Sequence, residues 1–477
     1  MYASARREFF NPSFFTWYFI GACVALVGAL TYVTHQILFT GTGVSYLYLL
    51  MIIQISPFLI AFGQQKYNFI SFTLFNHLLC YSIPKLNQMS NIFKVDDLFP
   101  EAIASIQELI ICTTIMAVSY YFFRLFMFYS FVEREKYQLL SLSRLQLIVV
   151  SFYVIGVPVL IDYLPSWALI FHFAAVAADM VLLMSSHSPG NEKLSNLLRI
   201  GVFISAGIYF VKTGMLTMVG NLAGYLFIAA CLRRQYKLLL IPLVLTLVGS
   251  AVQTVKMPFR QYIQNNPTAR YSERMEMLGA LIYSEYLEGN GAGQSEEEME
   301  ADDLGKREVG ESILHGFSRL GDDSIERVLA WTPSYVPFWG GSSYESLPYL
   351  FIPRVLWSDK PSRHIWNKFG RTYGILSEED NQTSVAVNYF AEAYMNFGFT
   401  GMYVCALFMG LLIAAVERLS YYFLGGYFYF TFMAFLMPVM TYATDLGSII
   451  QSVLIVGSVL YLFRKQFLKM ALRDDYS

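Results

Sequence analysis

Ile352–Gly374 reads IPRVLWSDKPSRHIWNKFGRTYG. It holds five bases (Arg354, Lys360, Arg363, Lys368, Arg371), one acid (Asp359), one histidine (His364) and two tryptophans (Trp357, Trp366). Such a stretch does not belong in a bilayer, yet nearly everything around it does. Of the 477 residues, 56% are hydrophobic and 14% charged, against roughly one quarter charged in a soluble globular protein. Apolar runs recur that are each long enough to cross a hydrocarbon core of ~30 Å. That contrast decides the fold class: an all-α polytopic membrane protein carrying one polar, basic, aromatic patch.

Working outward, hydropathy marks about twelve spans: Phe14–Thr34, Val44–Gly63, Phe69–Ile83, Ala102–Phe128, Leu145–Ile161, Trp167–Met184, Leu197–Val211, Met215–Cys231, Leu238–Val255, Gly401–Ser420, Gly425–Thr441 and Gly447–Phe463. The third is short, contains Asn76 and His77, and reads equally as a re-entrant or interfacial segment. The run after Arg6 and Arg7 is too long for a cleaved signal peptide and is read as the first span. All five cysteines lie in or beside apolar runs, which leaves no disulfide framework or Cys-rich metal spacing for the polar part. The formal net charge of −2 gives nucleic acid no basic surface to bind.

Lys and Arg placement sets the orientation. With the N-terminus in the cytoplasm, Lys66, the Arg134/Lys136/Arg144 group, Arg233/Arg234/Lys237, Arg418 and the tail from Arg464 all fall inside. The chain then divides into nine spans over 1–255, a large extracytoplasmic loop over 256–400, and three spans with a cytoplasmic tail over 401–477. The loop holds 13 of the 33 bases and 21 of the 35 acids, so the basicity of Ile352–Gly374 is local. Within the loop, Glu285–Glu311 is acidic, Gly-rich and nearly free of aromatics, and is expected to be mobile. SERMEMLGALIYSEYL before it is amphipathic and is expected to lie on the membrane face. Ser312–Ala330 has helical spacing. TPSYVPFWGGSSYESLPYLFIP has four prolines and a Gly340-Gly341 pair, so it is expected to be a packed irregular loop.

Arginine suits phosphate because its planar fork donates two parallel hydrogen bonds and never loses its charge. Arg354, Arg363 and Arg371, with Lys360 and Lys368 between them, therefore point to an anionic, lipid-linked substrate met at the membrane surface. Pairing with phospholipid headgroups is the plainer alternative. Tyr335, Trp339, Trp357, Trp366 and Tyr373 stack on sugar rings in one reading and anchor the loop at headgroup level in the other. For acid/base work the candidates are His364, which titrates near neutrality, and Glu392, in the apolar surround NYFAEAYMNFG. An exposed loop histidine and a structural carboxylate are their respective alternatives. Glu345 and Asp359 rank below them. Asp179 and Asp445, inside or near spans, are site hypotheses because a carboxylate there is costly.

Ile352–Pro361, then Phe369-Gly370 and Tyr373-Gly374, then Asn388 with Glu392-Ala393-Tyr394-Met395-Asn396-Phe397-Gly398, resembles the Wzy-type O-antigen and oligosaccharide repeat-unit polymerases. The motif covers about fifty residues, and the long late outer loop looks like theirs. The resemblance implies a GT-C-like membrane glycosyltransferase, inverting and metal-independent, with no cofactor. It would act at the outer face of the bacterial inner membrane and join undecaprenyl-diphosphate-linked oligosaccharides. Membrane lipids and a Wzz-type chain-length regulator are the implied partners. Carried onto this chain, the resemblance makes Arg354 the pyrophosphate ligand, with Arg371, Arg270 and Arg274 ranked lower, and leaves Glu392 and His364 competing as base. Arg363, Lys360, Trp357, Tyr373, Asn388 and Tyr394 complete the implied substrate contacts. An O-antigen ligase and a non-enzymatic transporter of lipid-linked oligosaccharide are the competing readings. Against transport, the sequence shows no internal repeat.

Overall fold

The computed structural model describes residues 42–64, 68–86, 100–127, 204, 206–214, 216–233, 239–288, 323–352, 357, 365–381, 383–436, 444–454 and 457–458. Among these, all regular secondary structure is helical. They fall into two compact units. One is built from 42–127, 323–422 and 444–458, the other from 204–288 and 423–436.

In the first unit, α1 is Thr42–Gln64, α2 Phe69–His77 and α3 Pro100–Met127. α2 continues through a π-helical turn, Leu78–Ser82, into 83–86. Asn68 starts α2: its extended backbone is not helical, and its side chain accepts the Ser71 amide at 3.0 Å. Nearly every residue of α2 is buried, so it is the central helix of this unit. α1 runs antiparallel to it, with Phe58 packed on Phe72 and Phe75 and Ser82 Oγ donating to Gln54 at 2.7 Å. α3 also runs antiparallel to α2, since Tyr81 meets Ser105 while Asn68 meets Tyr121.

The last long helix among the described residues, Tyr389–Leu436, begins in this unit and is called α9 below. It lies parallel to α3: Tyr403 meets Glu108, Gly410 meets Met116 and Ser119, and Glu417 meets Tyr120. It lies antiparallel to α2, whose two ends reach Glu417 (Phe69 amide to Oε2, 2.9 Å) and Tyr389 (hydroxyl to His77 Nε2, 2.9 Å). The short Phe69–Ile83 segment thus runs alongside its longer neighbours from end to end. Its polar Asn76 and His77 are accommodated by partners within the bundle, Cys80 and Tyr389.

Three described helices are long and apolar enough to cross a membrane: Ser45–Gly63, Ile103–Arg124 and Tyr389–Leu419. Leu240–Lys256 and Pro258–Asn265, bent by 58° at the proline, make a fourth if taken as one span. The expected spans Phe14–Thr34, Leu145–Ile161 and Trp167–Met184 lie outside the described residues. α9 is not one straight rod. At Gly398, whose φ of 66° is left-handed and open to glycine without strain, it folds back on itself. Cys405 Sγ therefore lies 3.5 Å from Tyr389 O, and a Cβ on Gly401 would stand 2.7 Å from Ala393 O. Helical backbone continues to Leu436, but the Leu446 amide, ten residues further on, is back at Glu392. Ten residues reach at most about 36 Å, so the chain does not run straight through Gly425-Gly426, and Gly401–Ser420 and Gly425–Thr441 stand as two runs.

The second unit packs the helical segment 206–213 and the helices α4 (Thr217–Arg233), α5 (Leu240–Asn265) and α6 (Tyr271–Tyr283). Its core is Phe210, Val211, Val255, Phe259 and Leu278. α6 forms as the expected helix, with Leu278 buried and Glu273 and Glu276 exposed. Glu285 is buried in the π-helical turn Ser284–Glu288 that follows α6, so the acidic stretch begins as helix rather than as loop.

Candidate functional site

In the first unit the loop segments gather on the Tyr389 end of α9. α7, Ser324–Trp331, and α8, Ile365–Thr372, are its two short helices. Between them the chain turns repeatedly through Pro333, Pro337 and the left-handed pair Gly340 and Gly341, as the sequence predicts, and closes in a 3-10 turn at Leu347–Phe351. Backbone hydrogen bonds pin this loop to α9: the Trp339 amide donates to Met395 O at 2.8 Å and the Gly341 amide to Asn396 Oδ1 at 2.9 Å. Asn396 returns a bond to Ser343 Oγ at 2.8 Å. A Cβ on Gly341 would stand 3.1 Å from the Phe397 ring, which keeps that position small. The pinned loop leaves Tyr335 80% exposed, with Phe338 exposed nearby in sequence. Lys368 reaches across from α8 to lie 4.3 Å over the Trp339 ring.

α8 is fixed on its other side. Phe369 is buried, and Asn367 Nδ2 donates to Asp380 O and Thr383 O at 2.8 Å each. Trp366 Nε1 donates to Asp445 Oδ1 at 2.7 Å. Asp445 is fully buried and also caps the helix 446–454 through the Ser448 amide and hydroxyl. Lys368 is exposed, whereas Arg371 is half-buried and donates to Glu378 O at 3.3 Å.

The structure places the other expected site residues as follows. Arg354, Lys360, Arg363 and His364 lie outside the described residues. Trp357 stands edge-on to Tyr349. Tyr373 is buried, shares a 2.6 Å hydrogen bond with Thr332 Oγ1, and has its phenol pushed up to about 12 by burial. Tyr394 donates to Thr332 O, so these two tyrosines hold the loop to the bundle. Asn388 is buried and is the N-cap of α9, accepting the Ala391 amide at 2.7 Å and donating to Ser324 Oγ at 3.0 Å. Glu392 is fully buried, and its Oε2 accepts the Leu446 amide at 2.9 Å. Arg270 and Arg274 belong to the second unit. There the Arg270 amide donates to Glu273 in the first turn of α6, and the Arg274 guanidinium donates to Lys212 O and Pro267 O.

One polar cluster escaped the sequence reading. Glu326 on α7 meets Lys85, Tyr81 and Ser105 at the ends of α2 and α3. Burial raises its carboxyl above the usual range, Lys85 opposing. The available signal was slight: an acid beside Ile325 within an apolar helical pattern, and a lysine following Pro84.

A family profile described as a domain of unknown function, DUF8712, matches residues 321–469. That range takes in α7, the pinned loop, α8, α9 and the Asp445 cap, but neither Lys85 nor residues 204–288 of the second unit. No curated protein matches the chain. No solved structure matches it.

Proposed function

We propose that the protein is a membrane glycosyltransferase that polymerises undecaprenyl-diphosphate-linked oligosaccharide repeat units at the outer face of a bacterial inner membrane, in the manner of the Wzy-type polymerases its loop motif resembles. The observation that carries the reading is the pinned loop. Exposed Tyr335, together with Trp339 under the Lys368 ammonium, forms an aromatic and cationic surface fixed at the end of an apolar helix long enough to span a bilayer. A lipid-linked diphospho-oligosaccharide offers matching parts: sugar faces for the rings, phosphate for the bases, and a polyprenyl tail for the membrane.

Two further points support it. The relative directions of α1, α2, α3 and the α9 segment Gly401–Leu419 fit the alternation of the expected spans: α1, α3 and that segment run one way and α2 the other. Outside the cytoplasm no nucleotide sugar is at hand, so a carrier-linked donor is the natural one. Its leaving diphosphate develops charge that arginine stabilises, and Arg354 is assigned that role.

The test is polymerisation in vitro. Purified protein given lipid-linked repeat units should lengthen the glycan, with or without EDTA, and Arg354→Ala should stop it. Transfer only when a lipid A core acceptor is supplied would make the protein a ligase. Movement of the lipid across vesicles with no bond formed would make it a transporter.

A further inference from the structure

The two oxygens of Glu326 are held unequally. Oε2 lies 2.5 Å from Lys85 Nζ, and the same ammonium lies 3.7 Å from Asp323 Oδ1. Oε1 receives only Tyr81 OH at 3.2 Å and Ser105 Oγ at 3.4 Å. An O–H···O bond is normally ~2.7–2.8 Å, and these two hydroxyls also lie 3.2 Å from each other. One oxygen is therefore clamped by charge. The other is lightly held by hydroxyls that have a second partner to turn to.

Access differs too. The Glu326 side chain keeps 17% exposure, whereas Glu392 and Asp445 keep none. The cluster sets two carboxylates against one ammonium. Such a site repels a diphosphate and accepts hydrogen bonds from neutral hydroxyls. It suits the acceptor sugar and not the donor's leaving group.

We infer that Glu326 is the general base that takes the proton from the acceptor hydroxyl, with Lys85 holding the carboxylate in place. The inference rests on the polymerase reading above. In the step, the acceptor O–H proton passes to Glu326 Oε1 as the acceptor oxygen bonds to the anomeric carbon of the donor. The bond from that carbon to the diphosphate oxygen breaks, its electron pair leaves with undecaprenyl diphosphate, and the anomeric centre inverts. Proton transfer to a placed carboxylate is worth roughly 10²–10⁴-fold.

The groups facing Glu326 are Lys85 and Tyr81 from α2, Ser105 from α3 and Asp323 just before α7. Burial and Asp323 raise its carboxyl, while Lys85 and the Tyr81 hydroxyl favour the charged form and lower it. The base works deprotonated, so activity falls as pH drops through its pKa. Losing the Tyr81 hydroxyl raises that pKa and moves the acid limb to higher pH.

The experiment measures kcat and KM for polymerisation of purified lipid-linked repeat units across the acid limb, with thermal unfolding recorded for each variant. Glu326→Gln should lower kcat by roughly 10²-fold or more with KM little changed, and Tyr81→Phe should shift the acid limb upward. If Glu326→Gln unfolds, the Tyr81→Phe profile decides. Wild-type kcat in Glu326→Gln, or an unmoved limb in Tyr81→Phe, overturns the assignment and leaves the polymerase reading standing. A wild-type protein that joins no repeat units overturns that reading, and the base with it.

Discussion

The Trp366 indole donates to Asp445 Oδ1 at 2.7 Å across 79 residues of sequence. This bond ties the helix that ends the basic stretch to the helix 446–454, because Asp445 is also that helix's N-cap. A hydrogen bond to a charged partner contributes about 1.5–3 kcal/mol, and truncating the capping carboxylate loses more than one such bond. Trp366→Phe should therefore lower thermal stability, and Asp445→Ala should lower it further. The double variant should fall short of their sum by about 1 kcal/mol or more, as neighbours in one network do. Strict additivity in a detergent-solution unfolding series would show that the two side chains do not act together.

Glu392 supplies a second prediction. Its Oε2 holds the Leu446 amide, and the side chain is sealed from solvent. Glu392→Ala strands that amide in the interior, which costs about 1–3 kcal/mol. Glu392→Gln keeps an acceptor and should cost less. Turnover per folded molecule should survive Glu392→Gln. Abolished turnover with an unchanged melting temperature would return Glu392 to the role of base.

These two carboxylates show how far the sequence was legible. Long apolar helices, the proline-and-glycine loop and the α6 helix are written locally, in hydropathy, in turn residues and in helical spacing, and the described residues have them. Long-range pairing is not written locally. Nothing near Glu392 says that the start of 446–454 will arrive beside it, and nothing near Glu326 announces Lys85, 241 residues away. Gly398 is where α9 folds back, and nothing beside it in the sequence says so: its left-handed φ reveals it.

The exposed ring of Tyr335 provides a test of the aromatic surface. At 80% exposure its ring meets the tilted Trp331 ring, with 6.1 Å between centroids. Tyr335→Ala should change stability by no more than about 0.5 kcal/mol, as surface substitutions do. On the polymerase reading it should raise KM for the lipid-linked oligosaccharide several-fold and leave kcat nearly alone, since a stacking ring binds ground and transition states alike. A variant with unaltered KM but poorer partitioning into lipid vesicles would make the ring a headgroup anchor.

Gly410 sets how closely α3 and α9 approach. A Cβ there would run into Ser119 Oγ and the Met116 carbonyl. The carbonyl is helix backbone and cannot rotate away, so the helices must separate. Small residues serve this purpose in membrane bundles, where contact between helices replaces the hydrophobic drive that lipid removes. Overpacking of this kind costs about 1–3 kcal/mol. Separation would also strain the contacts on either side, Tyr403 to Glu108 at 2.7 Å and Tyr120 to Glu417. Gly410→Ala should lower the melting temperature in detergent, and Gly410→Val should lower it more because its branched side chain adds bulk at the same atom. Ser119→Gly opens room for the first methyl's nearest neighbour but leaves the carbonyl in place, so it should restore only part of the loss. Full restoration would mean that the side chain, and not the backbone of α3, sets the crossing distance.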